Sequence, residues 1–221
     1  MSVSLNTLSK MLYFTGLSNE ELEEVKQYIA FEKKIEKGEI LLHEDDETEY
    51  MYLIVSGAVK IFKQSVNGKE QILNIASTGE SLNDVSTFDG GSTAMDMLAM
   101  TPVRLLGIKM VDIKALFARF PQIALNVAGV LAAKVRRDSS LVEVLSFDQV
   151  TSRLARLILK QTEAETNQLQ LFTQQDLAAM VGTSRVVVNR SLKVLEDARA
   201  IRMERRRIVV LDKDILAGMV K

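Results

Sequence analysis

The chain has 221 residues, 47% of them hydrophobic and 26% charged, the composition of an ordinary globular protein of one or two domains. It has no cysteine, which excludes disulfides, thiolate zinc sites and cysteine-held iron–sulfur clusters; no apolar run approaches the ~18 residues of a membrane span, so a cytoplasmic protein without a membrane partner is expected. The net charge of −1 hides an asymmetry: from Val150 onward 13 Lys and Arg face 8 Asp and Glu, whereas the preceding 149 residues hold 15 against 21, as expected of a nucleic-acid reader joined to an acidic sensor.

Residues 1 to about 30 are predicted as short helices, with Ser18 to Glu21 as a cap and Leu22, Val25 and Ile29 at helical spacing. From Phe31 the texture changes to short β runs. Strands are expected at Ile40 to Leu42, Tyr50 to Val55, Ala58 to Phe62, Gln71 to Ile75 and Val103 to Ile108. Turns at Gly57, Gly68, Gly79 and Gly90–Gly91 separate them, a spacing that suggests a sandwich or barrel. The single histidine, His43, stands beside the acidic run Glu44 to Glu47, which lacks the spacing of a calcium loop and reads as a solvated turn.

After Asp112 the pattern is helical, and Pro121 suits the first turn of a long helix ending near Leu145. Ala124, Ala128, Leu131, Val135, Asp138, Val142 and Leu145 step by 4 and 3 alternately, a heptad seam. Such a helix is roughly 37 Å long, and a two-helix dimer interface is its expected use, with packing on its own domain as the alternative. Ser146 to Val150 reads as a hinge, Thr151 to about Gln161 as an amphipathic helix, and Thr162 to Gln168 as a polar loop.

Residues 173–196 have the pattern of two short helices joined by a tight turn. Thr173 with Asp176 fits a capping box, Leu177 and Met180 to Val181 give one apolar face, and Gly182 suits a left-handed helix stop. Thr183 or Ser184 can cap the second helix, whose Val188, Leu192 and Leu195 must face a core. Ser184, Arg185, Val186, Asn189 and Arg190 then lie where a recognition helix meets base edges. Beyond it, Ala200 to Leu211 reads as a hairpin or wing. Arg205, Arg206 and Arg207 at its tip suit a phosphate backbone. No nucleotide-binding, zinc-protease or serine-hydrolase motif is present, so an enzyme is not expected; the competing reading is a ligand-binding module acting on a protein partner.

In this order the parts resemble the CRP/FNR superfamily of bacterial transcription regulators. The residues that carry the likeness are Tyr52 to Ile61, Asp148 to Ala155, and Thr173 to Glu196. The resemblance implies an α+β chain: a cyclic-nucleotide-binding-like β-roll sensor over 1–120, a dimerisation helix and hinge over 121–147, and a winged helix-turn-helix over 148–221. It implies a homodimer on double-stranded DNA, with RNA polymerase as a further partner. It places Arg185 and Arg190 where arginines reach guanines, and Thr151 and Ser184 at phosphate positions, with Thr173 on the same DNA-facing side. The family's frequent glutamate between the arginines is Val186 here, so a half-site differing from TGTGA at that position is expected.

The effector region departs further. Cyclic-nucleotide binders of the family hold the ribose with a Gly-Glu pair and the cyclic phosphate with an Arg-Ser pair. The resemblance places Asn83 and Asp84 on the first and Thr93 and Ala94 on the second. A phosphate there lacks its charge-assisted partner and meets Asp84, which argues against cyclic AMP. The family's base-reaching residues on the long helix correspond to Asp138 and Ser139, with Asp138 expected to tune the dimer or simply to face solvent. The effector is left unknown. A haem or gas ligand, another small molecule, or none are the alternatives.

Overall fold

The computed structural model describes residues 3–163, 172–204 and 207–220. It opens with α1 (Leu5–Leu8), a 3-10 turn (Leu12–Phe14) and α2 (Asn19–Val25). The predicted cap at Ser18 is a full capping box with Glu21, each side chain satisfying an N–H that the first turn leaves orphaned. Then come β1 (Ile29–Ile35), β2 (Ile40–Leu42), β3 (Tyr50–Ser56), β4 (Ala58–Gln64), β5 (Glu70–Ser77) and β6 (Ser81–Leu82). A short α3 (Asp84–Asp89) leads to β7 (Asp96–Ala99) and β8 (Val103–Lys109). The five predicted strands are all present; β1, β6, β7 and α3 are additional.

The eight strands form two four-stranded sheets, ordered β1-β8-β3-β6 and β2-β7-β4-β5. Period-2 alternation decides which core each side chain joins. On β3, Tyr52 and Ile54 point between the sheets, with Ile35, Val59, Ile61, Met97 and Leu105. Met51 and Leu53 point to the other face, with Leu106 and Ile108 of β8, where Leu8, Phe14, Leu22 and Val25 cover them. Both faces of these central strands are buried, which is why their sequences are almost continuously apolar. Gly107 of β8 allows the closest approach in this unit: a Cβ there would lie 2.4 Å from Cζ of Phe31, whose ring stands edge-on to Tyr50.

The chain continues into α4 (Met110–Arg119) and α5 (Pro121–Phe147), with a 119° bend between their axes. Pro121 is the first residue of α5, as expected, and the helix runs unbroken to Phe147, with Asp148 and Gln149 outside any helix. Ile123 and Val127 are buried in the helix-covered core, and Val130 and Leu131 pack at its margin. No single helix among the described residues is long and apolar enough to cross a membrane.

The C-terminal region comprises α6 (Val150–Glu163), α7 (Gln174–Met180), α8 (Arg185–Asp197), the hairpin β9 (Ile201–Glu204) and β10 (Arg207–Val210), and α9 (Lys213–Gly218). Leu154, Ile158, Leu177, Val188, Leu192, Leu195 and Leu216 are among its buried apolar residues. The predicted loop at Thr162 to Gln168 begins inside α6, and the rest of it lies outside the described residues. By internal contacts the chain divides into two compact units, residues 1–63 with 74–137, and residues 64–73 with 138–221.

Candidate nucleic-acid interface and effector cradle

The helix-turn-helix is built by local chemistry. Thr173 and Asp176 form the expected capping box: Thr173 N–H donates to Asp176 Oδ2 at 2.8 Å, and Asp176 N–H donates to Thr173 Oγ1 at 3.1 Å. Gly182 follows α7 at φ 69°, and Thr183 N–H closes the turn on Ala178 O at 2.9 Å. A Cβ on Gly182 would come within 2.9 Å of Leu145 Cδ2, so glycine serves both the backbone conformation and this approach. Of the two candidates, Ser184 is the cap of α8, its Oγ accepting from Val187 N–H.

With Val188, Ser191, Leu192 and Leu195 buried, α8 has one face left, and on it Arg185, Val186, Asn189 and Arg190 are exposed, Val186 at 60%. Arg185 Nε donates to Gln174 Oε1 at 3.2 Å. Thr151 lies lower, half-buried, its hydroxyl donating to Ser191 Oγ at 3.0 Å and so linking α6 to α8. In the wing, Met203 N–H donates to Glu196 Oε1 at 2.9 Å, tying β9 to the recognition helix. Glu204 pairs with Arg202. Arg207 is exposed at the start of β10; Arg205 and Arg206 lie outside the described residues.

In the β-roll unit, Asn83 takes the left-handed conformation at φ 65° and donates from Nδ2 to Tyr50 O at 3.2 Å, while its carbonyl accepts from Thr87 Oγ1. Asp84 opens α3, 5% exposed. It accepts from the Tyr13 hydroxyl on one oxygen and forms an ion pair with Lys134 of α5 on the other; Lys134 Nζ also donates to Ser81 O at 3.1 Å and to Ser81 Oγ at 3.2 Å. The carboxylate that the sequence sets against a bound phosphate is thus already paired with Lys134 within the fold. Burial, reinforced by the adjacent Asp84 carboxylate, pushes the Tyr13 hydroxyl far above its usual range.

Thr93 is fully buried, and among the described residues its Oγ1 has no hydrogen-bond partner, although its backbone bonds to Asp45 and Asp46. Ala94 beside it is half-buried. His43 is exposed, with Nδ1 3.2 Å from Asp96 Oδ1. Tyr13, Ser81, Lys134 and Gln174 are functional candidates that sequence reasoning missed. A signal existed for Lys134: it extends the inward face of α5 from Ile123 and Val127, and an inward lysine needs a buried partner.

Of the predicted seam, Ala128, Val135 and Val142 are exposed, the two valines at 66% and 65%. Leu131 and Leu145 differ from a pure seam: both are half-buried within the subunit, Leu131 on the β-roll core and Leu145 beside Gly182. Asp138 and Ser139 are exposed.

A two-sheet β-roll, a long helix and a winged helix-turn-helix with an exposed cationic reading face define a DNA-binding transcriptional regulator rather than an enzyme. Residues 32–120 match the cyclic nucleotide-binding domain and residues 152–219 the Crp-like helix-turn-helix domain. The chain is 30% identical over 191 residues to the cyclic AMP receptor protein of Thermus thermophilus, covering 86% of this chain and 88% of that one. It is 31% identical to the cAMP-activated global transcriptional regulator CRP of Pasteurella multocida, over 77% and 85% of the two chains. The structure of FixK2 from Bradyrhizobium japonicum superposes with a TM-score of 0.76 at 21% identity, over 87% and 98% of the chains, a likeness of fold. The chain therefore belongs to the CRP/FNR superfamily of transcriptional regulators.

Proposed function

We propose that the protein acts as a homodimer on a pseudo-palindromic site with half-sites about one helical turn apart. The observation that carries this reading is the exposed stripe Arg185, Val186, Asn189 and Arg190 on a helix whose opposite face is buried. Arg185 and Arg190 take guanines in bidentate pairs, and Val186 offers a thymine methyl an apolar contact where a glutamate would accept from a cytosine amine. Ser184, Thr151 and Thr173 lie toward the phosphates, and the wing arginines 205 to 207 meet the backbone. The domain roles are a sensor over 1–120, a dimerisation helix over 121–147 and a DNA reader over 148–221.

The second copy packs on α5. Val135 and Val142 lie seven residues apart with Ala128 seven before, a stripe left open within one subunit. Asp138 and Ser139 stand beside it, and Asp138 tunes the balance between dimer states. RNA polymerase is the further partner, and the cytoplasm the site of action.

The Thermus thermophilus and Pasteurella multocida relatives are described as a cyclic AMP receptor and a cAMP-activated regulator; this cradle does not fit that ligand. Thr93 offers a neutral hydroxyl where a guanidinium is needed, Ala94 offers no polar group, and the one ammonium at Asp84, Lys134, is already paired. His43 is too exposed for a haem pocket. The sensor takes a small ligand other than a cyclic nucleotide, or none. Binding of the additive-free protein to a randomised DNA pool, with the retained fraction sequenced, tests the whole reading. A palindrome whose yield is unchanged by cyclic AMP is the expected result. Cyclic AMP dependence would overturn the effector assignment, and the absence of any enriched sequence in either condition would overturn the α8 reading.

A further inference from the structure

Gln174 and Arg185 occupy matching places, each the first residue of its helix, on either side of the turn. Gln174 is half-buried, and the Thr173–Asp176 capping box fixes the backbone from which its side chain leaves. It accepts from Nε of Arg185 at 3.2 Å. A guanidinium can grip guanine O6 and N7 by its side edge, through Nε and one Nη, or by its end, through both Nη groups. With Nε engaged, only the end remains. Arg190, about one turn and a half further along α8, is exposed and among the described residues has no counterpart to Gln174.

We propose that Gln174 is a positioning residue that holds Arg185 in an end-on geometry and thereby sets discrimination for guanine at one base pair of the half-site. The inference rests on the reading of Arg185 as a base-contacting residue. It assigns to Gln174 no contact with DNA of its own. Holding a long, freely rotating side chain in its bound geometry before the DNA arrives removes part of the ordering cost of binding, and does so only for the base that this geometry fits.

The test measures half-site preference of the full-length protein by sequencing DNA retained from a randomised pool, for the wild type, Gln174→Met, Gln174→Glu, Arg185→Ala and the Gln174→Met/Arg185→Ala double variant. Arg185→Ala identifies the base pair concerned. Gln174→Met, which keeps the length of the side chain and removes the acceptor, is expected to relax preference at that same base pair by about three- to tenfold. Gln174→Glu retains an acceptor and preserves the preference. In the Arg185→Ala background Gln174→Met has no further effect, and preference at the base read by Arg190 is unchanged throughout. A merely structural role would instead lower thermal stability and weaken all sequences alike. The proposal is overturned if Arg185→Ala relaxes a base pair that Gln174→Met leaves untouched, or if Gln174→Met weakens binding equally with and without Arg185, which would indicate a direct phosphate contact. If Arg185→Ala changes no base preference, the reading of Arg185 itself fails and the proposal falls with it.

Discussion

The β-roll cradle and the recognition helix hold charged side chains in opposite ways. Asp84 is buried, with Tyr13 on one oxygen and Lys134 on the other, so its charge is answered inside the fold. Arg185 and Arg190 stand in solvent, with Arg185 hydrogen-bonded to a neutral glutamine and, among the described residues, paired with no acid. A pair closed on itself contributes to the fold and offers little to a phosphate; an exposed guanidinium contributes little to the fold and much to a partner. On the proposed function the two regions therefore separate stability from recognition, and substitutions should separate them too.

The largest effect is expected from Lys134→Met, which leaves Asp84 buried without its cation. Stability should fall by about 3 kcal/mol in urea denaturation, while the double variant Lys134→Met/Asp84→Asn recovers much of it. Equal instability of single and double variants would mean that the pair carries no such weight. Next, Arg190→Ala should weaken specific DNA binding by about 1–3 kcal/mol in anisotropy titrations and leave the melting temperature unchanged. A loss of thermal stability there would blur the contrast. Gly182→Ala should lower stability by about 1 kcal/mol in the same urea assay, since alanine is strained at positive φ.

The smallest effect is a pH dependence. Tyr13 has its pKa raised in the folded state, so its contribution to stability is complete below the unfolded value of 10.0 and declines as the pH rises above it, where the unfolded tyrosine ionises first. Urea midpoints of wild type and Tyr13→Phe should diverge in slope above about pH 10, with the variant falling less steeply. Parallel slopes would show that burial and Asp84 do not together hold the hydroxyl protonated.

The recognition motif was readable in the sequence because its determinants are local. Thr173 with Asp176, Gly182, Ser184, and the i, i+4, i+7 spacing of Val188, Leu192 and Leu195 each act within a few residues, and each occurs where predicted. The paired central strands were readable for a related reason, since burial on both faces writes an apolar run. β1, with Glu32, Lys33 and Lys34 at its middle, and α3, six residues long and preceded by a left-handed asparagine, carry no such signature. Asp84 lies 71 residues from Tyr13 and 50 from Lys134, and no local pattern announces a partner at that distance. The heptad on α5 was legible as a period, but the period could not say that Leu131 and Leu145 are half-buried within the subunit while Val135 and Val142 are not.

The hydrogen bond from Met203 N–H to Glu196 Oε1 makes the wing an outrigger of the recognition helix. On the function proposed above, in which α8 meets bases and the hairpin meets backbone, this joint works as a ruler: it bears on how many base pairs separate the edge being read from the phosphate being held. DNA that keeps the bases but shifts that phosphate, by an inserted pair or a widened groove, falls off the scale.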